Sequence, residues 1–273
     1  MSARLHVESS GRGPPLVLLH GWAMHSGVWG DLATRLGRHR RVHAVDLPGH
    51  GFSAPTSPFT IAGVVRALEG AFAGERSPIE VVGWSLGGHI ALAWALAHPE
   101  RIARLVLVAT TPRFVAGDGW DAAMSRETLK RFGDELDVAW KATVLRFLTL
   151  QMRAGEHGPP VTRSALAALR GELFARGEPS RRTLAESFAV LSTSDLRAEA
   201  SRIAHPALVI AGNRDMLVPA AAGEWLASTL RNGNFVSIDG AAHVPFLSHP
   251  AEFGQALRGF LDTGATVGAR RAQ

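Results

Sequence analysis

The sequence predicts an α/β fold: a mostly parallel, doubly wound sheet with a helical cap inserted after the sixth strand. Three observations carry this. Short apolar runs alternate with helical segments, the runs are β-branched and bounded by Gly, Pro or Asp, and the alternation stops over one long central stretch.

The runs are PLVLLHG (15–21), RVHAVDLPGHG (41–51), IEVVGWS (79–85), RLVLVAT (104–110), PALVIAGNRD (206–215) and NFVSIDGAAH (234–243). A continuous apolar run, rather than strict alternation, is what a strand buried on both faces requires, as in a parallel sheet. Helical segments such as SLGGHIALAWALAHPE and PAAAGEWLASTLRNG separate them, and strand–helix alternation builds an open α/β sheet. From about 113 to 200 only helical periodicity remains: Leu129, Phe132, Leu136, Trp140, Val144 and Phe147 recur at three- and four-residue spacings, broken by RAGEHGPP at 153–160. A helical insertion between two strands reads as a lid over their C-terminal ends, where open α/β sheets place their sites. The expected division is a core of 1–113 and 200–264, a lid of 114–199 and a fraying tail of 265–273.

The composition excludes several functions. The 273 residues hold no apolar run long enough to cross a bilayer, and the N-terminus has no apolar signal region, so no membrane association and a cytoplasmic location are expected. With no cysteine there is no disulfide, thiolate metal site or cysteine nucleophile. Of 29 basic residues only Lys130 and Lys141 are lysines, and no basic run is interleaved with aromatics, which argues against nucleic acid despite the net charge of +5. No metal or organic cofactor is expected, and the chain is expected to be a monomer.

Gly83-Trp84-Ser85-Leu86-Gly87 fits G-x-S-x-G between a strand and a helix. Such a turn strains the serine backbone and exposes its Oγ, while side chains at either glycine would collide with the neighbouring strand and helix. A serine hydroxyl needs a base, and the base an orienting acid. Asp215 and His243 follow in that order, each closing a strand on the edge of the sheet that carries Ser85. Asp239 is a rival acid, too near His243 in sequence to orient it. His50, His89, His98 and His205 read as turn or helix-surface residues. The N–H groups of Leu86 and of Trp22, in the LLHGWAMHSGVW loop, are the candidate oxyanion donors.

The stretches LVLLHGW, VDLPGHGFS, GWSLGGHIA, HPERI, FLTLQ, AGNRDMLVP and AAHVPFLSHPAEF together resemble the pimeloyl-[acyl-carrier protein] methyl ester esterases of biotin synthesis, within the α/β-hydrolase fold. The resemblance implies a serine carboxylesterase with catalytic Ser85, Asp215 and His243. It implies substrate contacts at Trp22, Ser85, Leu86, Phe147, Leu148, Thr149, Leu150, Gln151 and His243, and an acyl-carrier protein bearing the pimeloyl methyl ester as partner. Residues 124–182 carry a net charge of +4, which suits an acidic carrier. Arg146, Arg153, Arg163 and Arg170 are the candidate contacts. Phe147, Leu148, Leu150 and Trp120 are expected to line a channel for an aliphatic chain. Alternatives on the same fold are another esterase or lactonase, carbon–carbon bond hydrolysis, perhydrolysis, or a ligand-sensing receptor.

Overall fold

The computed structural model describes residues 4–152, 169–173 and 175–263. Seven strands form one sheet in the order β1-β3-β2-β4-β5-β6-β7. They are β1 (Val7–Ser10), β2 (Pro15–Leu19), β3 (Arg41–Val45), β4 (Ile79–Trp84), β5 (Ile102–Val108), β6 (Pro206–Gly212) and β7 (Asn232–Ile238). Every neighbouring pair is parallel except β1 with β3, where Val7 lies opposite Val45. The central strands β2 and β4 are buried at every position, because helices cover both faces. β1 sits at the edge and is mostly exposed, so its sequence VESS carries no apolar run.

The helical insertion leaves the sheet after β5 and returns at β6. It therefore follows the fifth strand, not the expected sixth. Among the described residues the strands before it are the edge strand β1 and the four that match the apolar runs, β2 to β5. The two crossings of the chain touch where Arg113 bridges Asp195, reinforced by Arg113 Nη1 to Asp195 Oδ2 at 3.2 Å.

Helices α1 (Gly30–Leu36), α2 (Ile61–Ala71) and α3 (Leu86–Ala97) connect the first strands. The central α3 is buried along nearly its whole length, which explains its apolar character on all sides. The insertion contributes α4 (Arg126–Met152), a helical stretch at 169–173 and α5 (Arg181–Thr193). α4 is broken at Ala139 (φ −138°, ψ 53°), so Leu129, Phe132 and Leu136 lie on one piece and Val144 and Phe147 on the next. The chain closes with α6 (Ala220–Thr229), the single turn α7 (Pro245–Ser248) and α8 (Pro250–Asp262). No described helix is long and apolar enough to cross a membrane. The tail expected at 265–273 lies outside the described residues.

His50 lies in a turn as expected, while His89, expected on a helix surface, is a core residue. His50 and His89 are fully buried, with Nδ1 at 3.1 Å from Pro48 O and 3.2 Å from Thr111 O. Their imidazoles are small enough to pack among apolar side chains once one nitrogen finds a carbonyl. Burial pushes both pKa values down to about 4, and that of the equally buried His20 to about 3.

These groups are neutral in the folded state and charge freely in the unfolded one, so acid favours unfolding. Stability is complete above pH 7 and falls as the pH drops from about 6.5 toward 4, at roughly 1.4 kcal/mol per pH unit for each histidine. Urea unfolding at pH 7.5, 6.5 and 5.5 measures that slope, and His89→Gln should flatten it by about a third. A slope unchanged in His89→Gln would mean that His89 is already protonated in the fold.

Candidate active site

Ser85 lies between β4 and α3 with φ 53° and ψ −115°, a left-handed backbone that a non-glycine residue adopts at a cost of about 1–3 kcal/mol. Its neighbours enforce it. Ser85 N–H donates to Val108 O at 2.9 Å, while Ser85 O accepts from Thr110 Oγ1 at 2.7 Å and from Gly88 and His89 N–H. A Cβ at Gly83 would stand 2.5 Å from Gly87 O, and one at Gly87 would collide with the Leu19 backbone of β2. The strand, the serine and the helix approach this closely only with glycine at both flanks.

Asp215 closes the turn after β6, where its Oδ1 accepts from the N–H groups of Leu217 at 2.8 Å and Val218 at 3.0 Å. Its Oδ2 receives His243 Nδ1 at 2.7 Å, and both side chains are buried. The carboxylate holds the proton on Nδ1 and leaves Nε2 as the basic nitrogen. The His243 backbone is fixed on two sides: its N–H donates to Gln151 O of α4 at 3.1 Å, and its carbonyl accepts from Trp84 Nε1 at 2.9 Å. Asp239 is exposed and takes Asn213 Nδ2 at 2.6 Å, so it is turned away from His243.

Among the described residues, the backbone N–H groups of Trp22 and Leu86 have no hydrogen-bond acceptor. Leu86 opens α3, where the helix dipole adds positive potential. The Trp22 loop is braced by His20, whose Nε2 accepts from Leu47 N–H at 2.9 Å and whose Nδ1–H donates to Gly21 O at 2.8 Å. That arrangement needs a neutral ring, in keeping with its lowered pKa.

Ser85, His243 and Trp22 open onto one apolar cavity. Phe114, Met124, Leu129, Phe147, Phe188 and Leu191 wall it from the insertion, and Leu217 and Val218 from the core. The Trp22 ring meets Phe147 edge-on at 5.1 Å, with Phe132 and Phe188 close behind. The free volume is about 30 Å³, room for about two waters when one needs about 10–15 Å³.

Of the stretch 147–151, Phe147 reaches the cavity wall. Leu148 is buried in the core, Leu150 is half-buried, Thr149 Oγ1 bonds back to Leu145 O at 2.9 Å, and Gln151 holds His243 through its carbonyl. Trp120 does not line the cavity. Its ring packs edge-on against Trp225 at 5.1 Å and its Nε1 donates to Arg113 O, which ties the start of the insertion to α6. Arg146 is exposed and paired with Glu135, and Arg170 is exposed with Nη2 at 3.4 Å from Thr149 Oγ1. Arg153 and Arg163 lie outside the described residues. The sequence reading missed Phe114, Met124, Leu129, Phe188 and Leu191, with Leu217 and Val218 of the core, as wall residues. The Phe188–Leu191 spacing within RTLAESFAVL is a helical signal for one face, but nothing in it says which partner the face meets.

The α/β hydrolase fold family matches residues 14–250. A pimeloyl-[acyl-carrier protein] methyl ester esterase of Chromobacterium violaceum is 43% identical over 96% of this chain and 99% of its own length. One of Nitrosomonas europaea is 41% identical over 92% and 97%. Among solved structures, a bromoperoxidase from Bacillus anthracis superposes with a TM-score of 0.88 at 22% identity, covering 95% of each chain. An esterase from Exiguobacterium antarcticum gives 0.86 at 21% identity over 94% of this chain and 95% of its own. At such identities the two structures speak for the fold alone. The chain belongs to the α/β-hydrolase fold family and, within it, to the family of the pimeloyl-[acyl-carrier protein] methyl ester esterases.

Proposed function

We propose that this chain is the serine carboxylesterase that hydrolyses the methyl ester of a pimeloyl group on acyl-carrier protein, in the cytoplasm, as a step of biotin synthesis. One observation carries the reading: His243, held by Asp215 at 2.7 Å, lines the same apolar cavity as Ser85. The relatives at 41–43% identity bear that esterase's name.

In the proposed reaction His243 Nε2 takes the proton of Ser85 Oγ as the oxygen attacks the ester carbonyl. The N–H groups of Trp22 and Leu86 receive the oxyanion. Its collapse expels methoxide, which leaves as methanol with the proton from His243. Water then repeats the sequence on the acyl-enzyme and restores Ser85. Asp215 keeps the imidazole in the required tautomer and stabilises its charged form. Residues 114–199 act as the lid over the core of 1–113 and 200–264. The apolar wall suits a methylene chain, and the narrow cavity requires the lid to shift before such a chain can enter, since small-molecule sites commonly span about 300–1,000 Å³. Exposed Arg146 and Arg170 offer charge to an acidic carrier.

Ser85→Ala should lower kcat on pimeloyl methyl ester bound to carrier protein by about 10⁴–10⁶, and Asp215→Asn by about 10³–10⁴. Growth of a biotin-requiring strain that lacks its own esterase should return with the wild-type chain and not with Ser85→Ala. Rescue by Ser85→Ala would refute the serine chemistry.

Arg146→Glu combined with Arg170→Glu should cut kcat/KM on the carrier-bound ester at least about tenfold and leave a free methyl ester within about twofold, because steering acts only on the charged partner. Equal losses on the two substrates would rule out docking through this face.

A further inference from the structure

We infer that Arg176 and His25 are positioning residues that aim the Trp22 N–H, so that the oxyanion site is complete only while the lid is docked on the loop between β2 and α1. This role presupposes the acyl-enzyme reaction proposed above.

That loop, residues 20–29, contains a strained residue of its own, Ala23 at φ 63°. It is held from two sides. The core holds it through His20 and through Asp46, whose Oδ1 accepts from Ser26 N–H at 2.7 Å. Among the described residues, the insertion holds it through bonds to residues 22, 25 and 26. Trp22 Nε1 donates to Leu184 O at 3.1 Å, and Arg176 Nη1 donates to Ser26 Oγ at 2.9 Å. His25 Nδ1 accepts from Gly27 N–H at 3.1 Å, so its proton sits on Nε2, which donates to the Glu172 carbonyl.

Arg176 is the junction. Its Nη2 donates to Glu8 Oε2 of β1 at 2.8 Å, its guanidinium lies over the Phe52 ring, and its Nη1 stands 3.5 Å from Asp46 Oδ2. The Asp46 side chain is wholly buried. Without Arg176 it keeps the N–H groups of Ser26 and Phe52 but loses the guanidinium beside it. A buried carboxylate that loses its cation is costly, and the relaxation open to it runs through Ser26 into the loop that carries Trp22. Arg176 thus differs from the solvated lid arginines: its side chain is 13% exposed, against 54% for Arg146.

The test compares Arg176→Ala, Arg176→Lys and His25→Ala in the full chain. On p-nitrophenyl butyrate, Arg176→Ala should lower kcat by about 10–100-fold, below the 10²–10³ of deleting a donor outright, with KM held within about threefold. Inhibition by butylboronic acid, which forms a tetrahedral adduct on the serine, should weaken by the same factor. Arg176→Lys should recover part of kcat by restoring charge beside Asp46. Hydrogen–deuterium exchange of the amides at 20–29 should accelerate at least about tenfold while the sheet stays protected. A raised KM with kcat and boronate affinity intact would overturn the idea, since Arg176 would then only shape the cavity. Unchanged exchange at 20–29 would overturn it whether or not the wild type turns over the ester, and failed wild-type turnover would count against the esterase reading alone. Should Arg176→Ala fail to fold, His25→Ala carries the same expectations and the same refutations.

Discussion

The left-handed backbone of Ser85 is the constraint on which the site depends. It is held where α3 starts so close to β4 and β2 that neither Gly83, against Gly87 O, nor Gly87, against the Leu19 backbone, has room for a Cβ. The helix begins one residue after the bend, which leaves Leu86 N–H without an acceptor among the described residues. Trp84 carries the constraint further. Its ring packs beneath the site and its Nε1 fixes the His243 carbonyl. The pentapeptide Gly83–Gly87 therefore positions Ser85, the Leu86 N–H and, through Trp84, the His243 backbone together.

What the sequence disclosed follows from how each segment is buried. The six apolar runs of the sequence match β2 to β7, and the most continuous of them, β2 and β4, are covered on both faces. Edge strand β1, with VESS largely in water, was not legible. The order Ser85, Asp215, His243 was legible because each residue follows the C-terminal end of a parallel strand, within five residues of it, and strand ends can be read from apolar runs alone. The cavity wall was less legible. Helical periodicity shows that Phe188 and Leu191 share a face but not what the face meets. Leu148 and Trp120 are apolar like the true wall residues, yet they pack into the core and against Trp225. His89 was misplaced for a similar reason: an imidazole with one carbonyl partner is as much at home in a core as at a surface.

Charge was the least legible property. Counting arginines between 124 and 182 gives a basic lid, but the count treats every guanidinium alike. In the fold Arg146 pairs with Glu135 in the open, whereas Arg176 turns inward to Asp46, Glu8 and the face of Phe52. The partners of Arg176 lie more than a hundred residues away in the chain, so no local pattern marks it.

The geometry of Arg176 also explains why a lid should carry an arginine at this place. A lid that must open to admit a chain has to give up its contacts at modest cost, yet closing must leave the chemistry correctly set. Apolar packing alone would hold the lid shut without reporting to the active site. A guanidinium reaches Ser26, Glu8 and Asp46 from one planar fork, so a single side chain arriving or departing changes three partners together. An ammonium could neutralise Asp46 but could not satisfy the other two acceptors in the same plane. Because Asp46 is buried and also binds the Ser26 N–H, the arrival of that charge is felt directly in the loop that carries Trp22. Lid closure and oxyanion geometry are thereby one event, and water meeting the open enzyme finds an incomplete site.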